Sequence, residues 1–236
     1  MSAYAVTARY YDALARAQHA ATDARIAAAL AGLDAEAGPV VDVGAGTGLT
    51  TELIATTLPT AEILAVEPDP AMHAALLART CSRGDWQRRI TPLPYPILDA
   101  PLPATIAAAV ASASLVHFEP AARQALWRLL ASRLSPAGRA IVEIQCPAAV
   151  DVPEACAAVV TVGRARYEGW MAARADGARQ HWAMRYVVRL GERVLADERT
   201  EFTCWSVSAP TVLEEAAVAG LEGTVHDDLV VLRHAR

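Results

Sequence analysis

The stretch VVDVGAGTGLT, residues 40–50, sets three glycines, Gly44, Gly46 and Gly48, directly behind a short apolar run. Glycine loses more backbone freedom on ordering than any other residue. Such a cluster therefore marks either a tight turn or a backbone that another group must approach closely. From Thr47 to Leu58 the pattern turns helical, so the local order is strand, glycine turn, helix. That order recurs: AEILAVEP at 61–68 predicts a second strand, and PAMHAALLAR at 70–79 a helix with Pro70 in its first turn. Ahead of them, residues 12–33 are Ala-rich with apolar positions at helical spacing. Strands separated by helices require a parallel sheet with right-handed crossovers. Further along, residues 91–104 carry five prolines around one short extended piece. IAAAVASASLVHF at 106–118 predicts the fourth strand and its exit turn, Ala121–Leu134 a helix, and GRAIVEIQ at 138–145 the fifth strand.

After residue 147 the period changes. HWAMRYVVRL, residues 181–190, puts Trp182, Met184, Tyr186, Val188 and Leu190 on one face, and a break at Gly191-Glu192 leads into RVLADERTEFTCWSV. Residues 181–207 therefore predict an antiparallel hairpin. The Ala-rich segment 148–180 is expected as a helical insertion capping one edge of the sheet. A helix from about Pro210 to Ala219 and a last strand, DLVVLRH, complete the pattern. The expected fold class is α/β: a Rossmann-like, doubly wound, mostly parallel sheet with a reversed C-terminal hairpin strand, in a single domain over residues 1–236.

With 236 residues, 54% of them hydrophobic, the chain can bury one sizeable core. No apolar stretch approaches the roughly 20 residues of a bilayer span, so no membrane contact is expected. The N-terminus has no basic region followed by an apolar core, which makes a cytoplasmic location the default expectation. Lysine is absent, and the 21 cationic residues, all Arg, are scattered in a chain of net charge −5. No patch suited to tracking phosphates results, so nucleic acid is not an expected partner. Cys81, Cys146, Cys156 and Cys204 are far apart and expected as reduced thiols. No two of the six histidines stand three or four residues apart on one helix face, so no metal site is expected.

A helix N-terminus offers unpaired N–H groups and a positive dipole end, which suits an anionic group at the glycine turn. The next strand ends in Glu67, and an acidic side chain there can accept both hydroxyls of a ribose. The alternative is a tight turn beside a surface glutamate. The dinucleotide fingerprint GxGxxG is not met, because here the spacing is GxGxG. At this point the chain resembles the class I S-adenosylmethionine-dependent methyltransferases. VVDVGAGTG is similar to their first motif, AVEPDPAM to their second, and LASRLSPAGRAIVEI to the segment entering their fifth strand. The opening YYDALA and the SLVHF after the fourth strand are similar to those of many small-molecule members. The resemblance covers roughly residues 4–145.

The resemblance implies S-adenosyl-L-methionine as cofactor. Gly44, Ala45, Gly46, Thr47 and Gly48 would cradle its methionine end, and Asp42 would brace that loop or reach the amino group. Glu67 would hold the ribose, and Pro68 and Met72 would flank the adenine. Ser112 would lie beside the cofactor and Tyr11 would cover it. The family's acidic residue after the third strand has only Asp99 to match it, so backbone and apolar contacts would hold the adenine instead. His117, after the fourth strand, stands as general base or substrate-positioning group, against a plain pocket wall. Tyr167, Trp170 and Met171 are candidate substrate-cap residues, against an ordinary packing face. The Trp182, Met184 and Tyr186 stripe reads as core or dimer surface ahead of pocket. The implied activity is methyl transfer to a small molecule, with a secondary metabolite among the expected acceptors, by a monomer or homodimer. Two rivals remain: the same fold catalysing a rearrangement or cyclisation, and a non-catalytic binding subunit.

Overall fold

A computed structural model describes residues 4–235, apart from the side chains of residues 17, 18 and 21. The first residues of the N-terminal stretch read above lie outside that range. Two helices lead in, the short α1 (Tyr4–Thr7) and the long α2 (Tyr11–Leu30). Then strands and helices alternate: β1 (Val40–Val43), α3 (Leu49–Thr57), β2 (Ile63–Val66), α4 (Pro70–Cys81), α5 (Trp86–Arg89), β3 (Ile90–Leu93), β4 (Ile106–Ala111), α6 (Pro120–Arg133) and β5 (Leu134–Glu143). The three central strands, VVDV, ILAV and IAAAVA, are buried along their whole length, as strands covered on both faces must be. Helix starts are set locally. The Asp69 carboxylate accepts from the N–H groups of Ala71 and Met72 ahead of Pro70, and Pro120 opens α6.

Four antiparallel strands follow: β6 (Val152–Val162), β7 (Ala165–Asp176), β8 (Arg179–Leu190) and β9 (Arg193–Trp205). Helix α7 (Ala209–Val218) then leads to β10 (Leu221–His226) and β11 (Leu229–His234). The main sheet has the order β3-β2-β1-β4-β5-β11-β10. Its first five strands are parallel, whereas β11 runs antiparallel to β5, and β10 antiparallel to β11. The reversed strand is therefore supplied by the β10–β11 hairpin. The hairpin expected over 181–207 is formed by β8 and β9, but it belongs to the second sheet. β10 itself was not anticipated.

The alternation within each strand divides the core. Val41 and Val43 of β1 pack with Leu126, Trp127 and Leu130 of α6 and Val212 and Ala216 of α7. Val40, on the opposite face, packs with Ile26 and Leu30 of α2, Ile54 of α3 and Leu76 of α4. Helices on both faces make the sheet doubly wound. Strand order reverses between β1 and β4, so the carboxyl ends of those strands form the crevice in which sheets of this kind bind ligands.

The expectation of a helical insertion over 148–180 is overturned, because β6 and β7 occupy most of it. Alanine content favoured helix, but VVTV at 159–162 is β-branched throughout. The hairpin turns are set by Gly163, Gly177 and Gly191, equally spaced and each near φ +60°. A positive φ is what a tight hairpin turn needs at its first central residue. The inner face of this second sheet packs Tyr186 and Val188 on Tyr10, just ahead of α2, and on Leu14 within it. The Tyr10 and Tyr186 rings stack with centroids 4.8 Å apart.

On the other side of the core, Arg123 of α6 makes a bidentate pair with Glu215 of α7 (2.8 and 3.1 Å), and Trp127 Nε1 donates to the same carboxylate at 3.0 Å. Arg123 is buried and Glu215 is mostly so. Removing one partner strands the other in a poorly solvated site, so Glu215→Ala should lower the unfolding free energy by about 3–5 kcal/mol. The exposed pair Arg179–Asp176 gives the contrast: Asp176→Ala should leave the unfolding midpoint almost unchanged, because solvent screens the pair. Denaturant midpoints measure both.

Candidate functional site

The three glycines all take left-handed backbone angles: φ +69° at Gly44, +57° at Gly46 and +90° at Gly48. Other L-residues rarely adopt these, so turn geometry alone accounts for part of the cluster. Close approach accounts for the rest. A β-carbon on Gly44 would meet that of Ser114 at 2.7 Å, and one on Gly48 would meet the Leu76 side chain at 2.8 Å. A β-carbon on Gly46 would meet nothing within 4 Å, because that position opens into a cavity.

The cavity has a volume of about 760 Å³, within the range of small-molecule sites. One end is formed by Gly44, Ala45, Gly46, Glu67, Pro68 and Met72, with Ile97 and Leu98 beyond them. Tyr4 and Thr7 of α1 and Tyr11 and Leu14 of α2 form the roof. Residues 112–114 and 116–118 line the side below β4, and Met171, Trp182, Met184 and Phe202 of the second sheet make the far wall. Among the described residues that line it there is no Arg. Apolar and aromatic side chains dominate, and the charged lining residues among them are the carboxylates Glu67 and Asp69, which suits a neutral or positively charged occupant over an anionic one.

Glu67 is buried, and its carboxylate already serves the protein. One oxygen accepts from Gly46 N–H at 2.8 Å and the other from Asp69 N–H at 2.7 Å. Burial raises its pKa, and the two backbone hydrogen bonds oppose that rise. A carboxylate offers about four lone-pair sites, so each oxygen retains capacity for one hydroxyl donor. The anion at this turn is thus Glu67 itself.

Asp42, Thr47 and Gly48 do not line the cavity. Asp42 is fully buried in β1 and accepts from Thr51 Oγ1 at 2.5 Å, which ties the strand to α3. The Thr47 hydroxyl donates to Asp12 at 2.5 Å, and Arg79 Nε donates to the Thr47 carbonyl at 2.9 Å. Arg79 also pairs with Asp12 and Glu52. This clamp fastens the roof helix α2 to the glycine turn. It joins residues too distant in sequence for any spacing to suggest it.

Ser112 lines the cavity, but its hydroxyl donates to Glu143 Oε2 at 2.7 Å, as does the Ala113 N–H. Of the substrate-cap candidates, only Met171 faces the cavity. Tyr167 does not line it and packs in the cluster of Tyr10 and Tyr186, and Trp170 lies on the opposite face of β7, donating to Glu168 at 3.2 Å. The stripe read as core or dimer surface turns out to matter more, since Trp182, Met184 and Tyr186 all line the cavity. Asp99 is exposed and does not line it, whereas Ile97 and Leu98 do.

His117 lines the cavity with its Nε2 2.7 Å from Tyr4 Oη. Tyr4 stacks on Phe202 at 5.3 Å, a contact no sequence spacing indicated. Burial pushes the His117 pKa down to about 4. The ring is therefore neutral at physiological pH, able to accept a hydrogen bond but weak as a base.

Residues 40–138 match a family described as a methyltransferase domain. No curated protein sequence matches the chain significantly. Solved structures do match. DesVI of Streptomyces venezuelae is 17% identical at a TM-score of 0.79, over 100% of this chain and 99% of that one. The sugar N-methyltransferase KedS8 of Streptoalloteichus is 18% identical at 0.74, over 94% and 90%. CalS10, an amino pentose methyltransferase of Micromonospora echinaspora, is 18% identical at 0.73, over 91% and 90%.

The buried groups make two checks available. Burial raises the Asp42 pKa to about 7, with Thr51 opposing the rise and the Glu67 charge adding to it. Between about pH 4 and 7 the folded state then binds more protons than the unfolded one, so this residue lowers stability as pH rises through that window. Asp42→Asn keeps an acceptor for Thr51 and removes the effect. Its stability relative to the parent protein should improve by about 1–3 kcal/mol between pH 5 and 7.5, read from denaturant curves. For His117, NMR titration of the imidazole should show a midpoint near 4; a midpoint near 6.5 would refute the neutral-ring assignment. Residues 40–138 thus match a methyltransferase domain, and the chain as a whole shares the fold of the solved methyltransferases.

Proposed function

We propose that the protein transfers a methyl group from S-adenosylmethionine to a small, uncharged or amine-bearing, largely apolar molecule of secondary metabolism. One observation carries the reading. A single cavity joins Glu67 and the open position at Gly46 to an aromatic wall at His117, Trp182 and Phe202. The first end fits the cofactor: a buried carboxylate with spare acceptor sites for a ribose, and Pro68, Met72, Ile97 and Leu98 as apolar surface for adenine. The absence of Arg among the described lining residues suits a sulfonium. The structural neighbours named as sugar and amino pentose methyltransferases support a small acceptor.

When bound, the cofactor supplies an electrophilic methyl group on sulfur. The chain's own contribution is arrangement. Glu67 orients the ribose, α1 and α2 exclude water from above, and the second sheet holds the acceptor against the cofactor. Bringing two reactants together in a fixed orientation can supply on the order of 7–11 kcal/mol of a barrier. His117, neutral and paired with Tyr4, positions the acceptor by accepting a hydrogen bond from its O–H or N–H.

Calorimetry should show S-adenosylhomocysteine binding at one site per chain, and Glu67→Ala should weaken it by about 1–3 kcal/mol, the scale of a lost hydrogen bond to a charged group. Unchanged affinity would remove Glu67 from the site, and binding of NADH in place of S-adenosylhomocysteine would overturn the reading.

A further inference from the structure

Residues 112–114 form a turn held in an unusual shape. Ala113 adopts φ +51°, which costs a residue with a β-carbon free energy. Glu143 holds it there by accepting from both the Ser112 hydroxyl and the Ala113 N–H. The consequence is to set Ser114 against Gly44, where only a glycine leaves room for it.

Ser114 stands at the N-cap of the single turn Leu115–His117, where a serine hydroxyl ordinarily accepts from a backbone N–H. Here it makes no such bond. The side chain is 5% exposed, lines the cavity, and its Oγ has no hydrogen-bond partner among the described residues. A buried hydroxyl left unpaired is costly, and in native structures such a group calls for an explanation.

Sheet order supplies the direction. Glu67 follows β2, the glycine turn follows β1, and Ser114 follows β4, so the three lie side by side along the carboxyl edge of the sheet. A ligand whose ribose rests on Glu67 and whose chain passes the open face of Gly46 reaches Ser114 with its far end. For S-adenosylmethionine that end is the α-amino acid, carrying an ammonium and a carboxylate.

We infer that Ser114 is a cofactor-binding residue whose hydroxyl hydrogen-bonds the α-amino acid end of S-adenosylmethionine, in place of the neighbouring Ser112. The assignment rests on the functional reading above. It also accounts for Gly44, which must lack a β-carbon for Ser114 to approach.

Ser114→Ala, and the near-isosteric Ser114→Cys, test the assignment by calorimetry with two probes. S-adenosylhomocysteine carries the amino acid end, and 5′-methylthioadenosine shares the adenosine but lacks that end. Ser114→Ala should lower S-adenosylhomocysteine affinity about tenfold, with Ser114→Cys between it and the parent, while methylthioadenosine affinity stays within about twofold. The unliganded Ala variant should melt no lower than the parent, since it sheds an unpaired buried hydroxyl. Undiminished S-adenosylhomocysteine affinity, or equal weakening of both probes, would overturn the assignment while leaving the cofactor reading intact. A parent protein that binds neither probe would overturn both.

Discussion

The Glu67 carboxylate holds together the part of the molecule on which the site depends. It is a buried acid at the end of β2 that reaches across to the turn after β1 and accepts Gly46 N–H, while its second oxygen accepts Asp69 N–H. The first bond ties the two loops directly, beside the Gly44 and Ala45 N–H groups that donate to the Val66 carbonyl, and the second shapes the loop after β2. The two bonds also explain how the carboxylate can remain charged in a poorly solvated position, since each bond stabilises the ionised form against the cost of burial. Asp69 in turn caps α4 through Ala71 and Met72, and Met72 lines the cavity. The side chain proposed to orient the ribose is thus also a structural tie.

A second tie lies above the first. Arg79 holds Asp12, Glu52 and the Thr47 carbonyl together, so the roof helix, the helix after the glycine turn and the turn itself meet at one guanidinium. Thr47 and Gly48 serve this junction and do not line the cavity, and Asp42 serves the strand below through Thr51. Conserving the turn's shape and contacting a ligand are divided among neighbouring residues.

Much of the parallel sheet could be read from the chain, because its signals are local. Wholly apolar strands, Pro70 and Pro120 at helix starts, and a glycine turn each act within a few residues. The same holds for Gly44, Gly46, Glu67, Pro68 and Met72, whose places follow from strand ends. The second sheet was read only in part, because alanine-rich strands present helical propensity and period-two alternation at once, and antiparallel pairing across long strands decided between them. Which face of β7 looks inward depends on that pairing, so Met171 reached the cavity while Trp170 did not. Tyr4, Arg79 and Ser114 were not legible. Each owes its position to a partner from a distant segment: Phe202, Asp12 and Gly44 respectively.

The cavity's two ends are written in separate stretches of the chain. Residues 44–118 shape the end with Glu67, whereas the far wall comes from strands within 152–205 that share no ladder with the main sheet. Met171, Trp182, Met184 and Phe202 can therefore be exchanged for side chains of other size without altering a single hydrogen bond of the parallel sheet or the Arg79 junction. Under the proposed assignment, such an arrangement lets the acceptor end of the cavity change while the grip on the methyl donor stays constant. In an engineering setting, it makes these four positions the ones to randomise first.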